Sequence, residues 1–407
     1  MTLDEARALD AADKLGFARD RFHLPDGLIY LDGNSLGALP KATSAHLLEI
    51  VERQWGDDLI TSWNKHGWID APARIAAMLG PLVGARPNEL LIADSTSVCL
   101  FKLLAAAADA RPGRTTILTE RGNFPTDLYV AQGLVGLKPE LRLHTVERAG
   151  LAAAIDEDTA AIFLTHVDFC SGERHDMRGL SQAAHDKGAV TIWDLCHSAG
   201  AIELDIGRDG CDLAVGCGYK YLNGGPGAPA FIYVAEHLQE DLRSPITGWM
   251  GHAEPFAFDG AYRPAPGITR FLTGTPSILA LGALEAGIAT FEGIAMVDLE
   301  AKSAALTQLF IDEVERRCPE LRLVGPRDPT KRGSQVGFAH AEGYPMMQAL
   351  IARGVIGDFR APDLMRFGFA PLYNRFEDAW RAAEALADII TTREWDQPRF
   401  KERAKVT

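Results

Sequence analysis

Two kinds of stretch alternate along this chain. From about residue 88, short and almost wholly apolar runs are separated by longer stretches that carry their apolar residues on one helical face. ELLIAD, TTILTE, LRLHTV, AAIFLTHV, AVTIWD, CDLAVGC and PAFIYV read as strands. Ser97 to Asp109, FPTDLYVAQGL and SQAAHDKG read as helices, the first with Leu100, Phe101, Leu103 and Leu104 as its apolar face. Strands without polar alternation, separated by helices, are what a parallel sheet covered on both faces requires. The predicted class is α/β, with a mostly parallel seven-stranded sheet. A Gly/Pro/aromatic-rich stretch from Pro245 to Pro276 interrupts the pattern. Beyond it come helices over Ser277 to Glu292 and Val297 to Arg317, then QVGFAH, a helix near Met346 to Ala352, VIGDFR, LMRFGFA and a final helix from Asp378. The expected organisation is an N-terminal segment (1–45), a large domain (46–275) and a smaller C-terminal α+β domain (276–407).

Composition narrows the function. Hydrophobic residues make up 47% of the chain and charged residues 24%, enough apolar content to build a large core. Lys and Arg number 41 against 55 Asp and Glu, a net charge of −14. That balance argues against nucleic acid or an anionic membrane as partner, since both demand basic patches. No apolar run reaches transmembrane length, and MTLDEARALD is acidic where a signal peptide needs a basic start, so a cytoplasmic location is expected. The cysteines (Cys99, Cys170, Cys196, Cys211, Cys217, Cys318) form no Cys-x-x-Cys and mostly sit in apolar runs, as reduced buried thiols do. The histidines form no His-Glu-x-x-His and do not cluster with cysteine, so no metal site is expected.

The sharpest local feature is GCGYKYLNGGPGAPAF. A strand ends in small residues, then Lys220 follows between Tyr219 and Tyr221, then a Gly-rich turn. An arbitrary lysine belongs on the surface. One just past a buried strand sits instead at the carboxyl edge of the sheet, where open α/β folds place their ligands. Lysine there can lose hydration, lower its pKa and become a Schiff-base nucleophile. Gly225, Gly227 and Ala230 match a dinucleotide fingerprint, but a strand follows where a helix is needed. In TIWDLCHSAG, Asp194 ends another strand and His197 follows. Alone, Asp194 would be a turn or helix-cap residue. Beside Lys220 it could hold the protonated ring nitrogen of pyridoxal 5′-phosphate while the lysine holds the aldehyde carbon. ADSTSVCLFKLL gives strand, Ser95-Thr96-Ser97, then helix, a place to seat a phosphate and equally an ordinary cap. GNSLG (Gly33 to Gly37) matches the serine-hydrolase elbow around Ser35, but Ala38-Leu39-Pro40 stand where its helix should begin.

Taken together, YLDGNSLG, ADSTSV, GNFPTDLY, WDLCHSAG, GCGYKYLNGGPG, Gly248-Trp249, FLTGTPSI and MRFGFAPLYN resemble the kynureninase family, in that family's order and over nearly the whole chain. Kynureninases are pyridoxal-phosphate enzymes of the aspartate-aminotransferase fold, fold type I. The resemblance implies that Lys220 forms the Schiff base and moves protons at the substrate Cα, and that Asp194 pairs with the ring nitrogen beside His197. It implies Phe124 stacked on the cofactor within Phe124-Pro125-Thr126-Asp127, phosphate contacts from Thr96, Ser97 and Tyr219, and a cofactor-facing Thr165. Tyr219 would also relay a proton. Trp249 and Thr275 resemble residues that reach the phosphate across a homodimer interface. Arg366 looks like the arginine that grips the substrate α-carboxylate, a task that suits a planar guanidinium. The implied reaction is hydrolysis of the Cβ–Cγ bond of L-kynurenine to anthranilate and L-alanine, in tryptophan catabolism. Gly274, Trp63 and Trp68 look like the bacterial version that prefers kynurenine to its 3-hydroxy form. The alternatives are another enzyme of this fold, such as a cysteine desulfurase or an aminotransferase, a serine hydrolase using Ser35, or a non-catalytic ligand-binding protein. A desulfurase needs a reactive cysteine on a loop of the C-terminal part, where only Cys318 lies, inside helix-like VERRCPE.

Overall fold

The structure is a computed structural model that describes residues 1–258 and 260–403. Its main sheet has seven strands, in the order Leu90–Ala93, Ala230–Val234, Leu213–Cys217, Val190–Asp194, Thr159–Thr165, Thr116–Glu120 and Arg142–Val146. Only Ala230–Val234 runs against its neighbours. All seven expected strands form. Six are buried at every position, and the exception is the edge strand Arg142–Val146, which the reading of its run as almost wholly apolar did not foresee and where Arg142, His144 and Thr145 break the apolar run. Burial on both faces is why the other runs lack a polar face.

A second sheet is antiparallel, in the order Arg322–Val324, Gln335–Ala339, Leu364–Gly368 and Asp358–Arg360. It shares a core with helices Met296–Arg317, Gly343–Ala352 and Phe376–Thr392, through Phe310, Met347, Phe367 and Leu386 among others. The two cores do not divide the chain at residue 276. Helix Ile278–Ala289, expected in the second unit, puts Leu281, Leu284 and Ile288 into the first core. Apolar at every position but Glu285, it carried little signal of which core it faces. Ala6 and Leu31, from the N-terminal segment, belong to the second core, and Ile29–Tyr30 pairs with Val355–Ile356. The Gly/Pro-rich stretch marks a break in the βα rhythm and not a change of core.

All six cysteines are free thiols, and Cys170 is the one partly exposed. Among the described residues no helix is long and apolar enough to cross a membrane.

Candidate active site

Thr159–Thr165, Val190–Asp194 and Leu213–Cys217 are neighbouring strands that end at the same edge of the sheet. Thr165 and Asp194 are register partners there. The loop after Leu213–Cys217 carries Tyr219 and Lys220 back over that edge. Helix Thr96–Asp109 starts beside it, with the Ser95 hydroxyl capping Val98 N–H. A cavity of about 190 Å³ results, lined by Thr96, Ser97, Phe124, Thr126, Asp127, Thr165, Asp194, His197, Tyr219 and Lys220, together with Phe169 and Cys196.

The lysine amine is held from several sides. Nζ lies 2.9 Å from His197 Nε2 and 5.8 Å from the ring centres of Phe124 and Tyr219. Burial pulls its pKa down, but Cys217, Cys196 and Asp194 pull it up, and the net direction is upward. The sequence-based expectation of a lowered pKa is corrected here: the neighbouring thiols and carboxylate outweigh desolvation, and the free amine is kept as an ammonium. Burial pushes the Tyr219 phenol above its ordinary range, so it remains a proton donor.

Asp194 Oδ1 accepts the Cys196 N–H at 2.7 Å. Asp127, buried beside Asp194, is raised well above the carboxylate range by burial and then by that neighbour's charge. Thr165 Oγ1 donates to Asn123 Oδ1 at 2.6 Å and lies 3.4 Å from Asp127 Oδ2. Among the described residues neither aspartate has a salt-bridge partner. A buried carboxyl pair whose neighbouring cation, Lys220, stands outside ion-pair distance is an environment a protonated ring nitrogen would complete. With an aromatic wall at Phe124, hydroxyls at a helix start and a lysine, the donor set fits pyridoxal 5′-phosphate.

A second chamber of about 440 Å³ opens from the first and shares Phe124, Phe169, His197, Tyr219 and Lys220 with it. Asn34, Ser35, Pro125, Arg360 and Arg366 complete its walls. Arg366 is buried, and the anion that meets it is a protein side chain. Nε donates to Asp358 Oδ1 at 2.7 Å and Nη2 to Asp358 Oδ2, while Nη1 donates to the Phe169 carbonyl. Asp358 stands directly opposite Arg366 in the antiparallel register. Arg360 also pairs with Asp358, at 2.7 Å.

The GNSLG segment serves packing. Gly37 N–H donates to the Tyr219 carbonyl, and a Cβ on Gly37 would lie 2.4 Å from the Lys220 carbonyl oxygen. A Cβ on Gly368 would come within 1.9 Å of Asn34 Oδ1. Ser35 Oγ donates to Asp358 Oδ2 at 3.0 Å, with no histidine base in the contact, which removes the serine-hydrolase reading. Asp32, in the same segment, has Oδ1 shut off from solvent without a partner among the described residues. Burial, and then the charge of Asp358, push it up to about 7. Its native pKa therefore exceeds the unfolded value, so its contribution is fully present below the ordinary carboxylate range and is lost as pH rises through about 7. Asp32→Asn is expected to flatten the fall in thermal midpoint between pH 5 and pH 8. Calorimetry at both pH values checks this, and an unchanged slope would reject it.

Two expected residues lie elsewhere. Trp249 is 38% exposed and stacks edge-on with Trp63 and Phe256. Thr275 lines a separate depression with Ile92, Asp94 and Gly227. Neither reaches the lysine cavity within one chain. Phe169, Gln335, Asp358 and Arg360 were not foreseen. Cys318, the residue a desulfurase would have to use, is fully buried in the second core.

The kynureninase C-terminal domain family matches residues 299–386. A kynureninase of Burkholderia mallei (strain SAVP1) is 48% identical over 414 residues, covering all of both chains. Among solved structures, an apo cysteine desulfurase from Thermococcus onnurineus NA1 superposes with a TM-score of 0.78 at 21% identity, over 92% of this chain and 98% of its own. A mutant of C-DES, with glycine covalently linked to its PLP cofactor, gives 0.79 at 15% identity over 91% and 99%. At such identities the structural likeness speaks for the fold, which is that of the fold type I PLP enzymes.

Proposed function

This chain belongs to the kynureninase family, and we propose that it hydrolyses the Cβ–Cγ bond of L-kynurenine to anthranilate and L-alanine with pyridoxal 5′-phosphate as cofactor. The observation that carries this reading is one continuous cleft with Lys220 and the Asp127/Asp194 pair at its inner end and Arg366 at its outer end. When bound, the cofactor supplies an electron sink for charge developing on the substrate.

The chain's own residues do the rest. Asp194, backed by the Asp127 acid, would hold a proton on the ring nitrogen. Phe124 would supply an aromatic wall for the ring, and Thr126 and Thr165 line the same cavity. Thr96 and Ser97 offer hydroxyls and helix N–H groups to a phosphate. Asp358 takes Nε and one Nη2 hydrogen of Arg366, and the Phe169 carbonyl takes one from Nη1; the remaining Nη hydrogens, with Ser35 alongside, are the donors we assign to a substrate carboxylate. Lys220, aimed by its hydrogen bond to His197, is the group we assign to carry a proton at the substrate Cα. The protonated Tyr219 is the donor on the same wall. The apolar faces of Phe124 and Phe169, 5.1 Å apart, keep bulk water from that proton.

We place the enzyme in the cytoplasm, in tryptophan catabolism, as a homodimer. Leu59, Ile60 and Phe256 are 59%, 77% and 65% exposed, and Trp249 lies beside Phe256. A second copy covering this surface would bring Trp249 and Thr275 to the partner's phosphate site.

Reconstituted protein is expected to show a visible absorbance band and to release fluorescent anthranilate from L-kynurenine, faster than it turns over 3-hydroxykynurenine. Sulfide and alanine from cysteine, without anthranilate, would transfer the chain to the desulfurases. Failure to bind the cofactor at all would reject both.

A further inference from the structure

We propose that Gln335 is a positioning residue: from the second sheet it locks His197 in the tautomer whose free Nε2 accepts a hydrogen bond from Lys220 and so aims the lysine amine. The inference rests on the reading of Lys220 as the cofactor-bearing amine only for its kinetic consequence. The tautomer is a property of the chain itself.

The argument follows hydrogen-bond polarity. Gln335 opens strand Gln335–Ala339 and is buried. Its Nε2 donates to two backbone carbonyls, of Asp168 at 3.0 Å and Phe169 at 2.9 Å. Carbonyls only accept, so the amide nitrogen must face them and Oε1 must face the other way. Oε1 lies 2.7 Å from His197 Nδ1. Because Oε1 can only accept, Nδ1 must carry a hydrogen. In a neutral imidazole that leaves a lone pair on Nε2, 2.9 Å from the Lys220 ammonium.

The surroundings keep the ring neutral. Burial, then the charges of Lys220, Arg366 and Arg360, hold His197 well below the ordinary histidine range. The other titratable groups on the cavity wall are Asp127, Asp194, Tyr219 and Cys196. The Nε2 lone pair therefore accepts a hydrogen bond from the Lys220 ammonium and fixes the direction in which Nζ points. With the opposite tautomer, Nε2–H and Nζ–H would meet as two donors, and Nζ would have to turn away. Gln335 belongs to the second sheet and His197 to the end of the first, so the docking of the two units sets how the Lys220 amine is held.

The test reads the imidazole directly. In the full chain labelled with ¹⁵N-histidine, two-bond proton–nitrogen NMR is expected to show His197 neutral and protonated on Nδ1 from pH 6 to pH 8, with its signals identified by their loss in His197→Asn. This wild-type measurement needs no variant to fold, and an Nε2–H tautomer there would overturn the proposal. Gln335→Glu keeps the acceptor and adds a charge, so His197 should titrate about 1–3 pH units higher. Gln335→Met removes the acceptor, so a second tautomer should appear. In the cofactor-loaded enzyme it should lower kcat about tenfold or more while KM changes less than about threefold. If both variants merely lower the thermal midpoint and leave the His197 signals unchanged, Gln335 is structural only. Loss of anthranilate production in the wild type, with the tautomer as described, would refute the kynureninase reading and leave this inference standing.

Discussion

Lys220→Ala protein is expected to fold, to bind pyridoxal 5′-phosphate without covalent attachment, and to lose the absorbance band of the lysine-linked cofactor. Activity should fall about a thousandfold or more, within the 10²–10⁴ contributed by a positioned proton carrier and beyond it where the nucleophile is also lost. Folding should survive because the sheet depends on the strands and not on this side chain, which is only half-buried at the cavity wall. Two local effects accompany the loss. His197 Nε2 loses its donor, and the Asp127/Asp194 pair loses the cation that draws Asp127 downward. Asp127 should then hold its proton more strongly still. A small primary amine supplied in the buffer fits the space left by the lysine chain and should restore part of the turnover. Absorbance scans with and without methylamine, beside anthranilate fluorescence, check both halves. A variant that keeps the band and the activity would remove Lys220 from its role.

The strand ends were legible in the sequence because burial on both faces removes polar alternation, so WD and GC could be recognised as the last residues of buried runs. Lys220, Asp194, His197 and Thr96 followed from that placement together with simple chemistry. Asp358 was not legible. It meets Arg366 only through the antiparallel register of two short strands, and a buried arginine in a sequence says that an anion is near without saying which. The expectation had assigned that anion to the substrate alone. Gln335 was hidden for a similar reason, since its role depends on which two carbonyls orient its amide. Trp249 and Thr275 were found by resemblance, and a single chain leaves them outside the cavity. Lys220's charge state was misread because desolvation, foreseeable from the sequence, was outweighed by thiols and a carboxylate brought near only by the fold.

Arg366→Ala should raise KM for L-kynurenine and lower kcat/KM about 30- to 4,000-fold, the equivalent of about 2–5 kcal/mol for a truncated buried charge pair. Part of that figure is the cost of stranding Asp358, and the geometry allows the two parts to be separated. Asp358 would keep Arg360 and the Ser35 hydroxyl, so its carboxylate is not wholly abandoned. Arg360 is partly exposed, however, and solvent screens what it returns. Arg366→Lys keeps a charge but cannot serve Asp358 and a substrate carboxylate on two edges at once, so it should resemble alanine in KM and wild type in stability. Removing both partners, in Arg366→Met with Asp358→Leu, should recover thermal stability relative to Arg366→Ala, because no buried charge is left unpaired. The double variant should stay as defective toward kynurenine as the single one. The cofactor band should persist in all three, since none of these side chains lines the lysine cavity. Thermal midpoints, absorbance and steady-state kinetics on the set decide the matter. If the double variant regained affinity for substrate along with stability, Arg366 would be a structural partner of Asp358 and the substrate carboxylate would have to bind elsewhere.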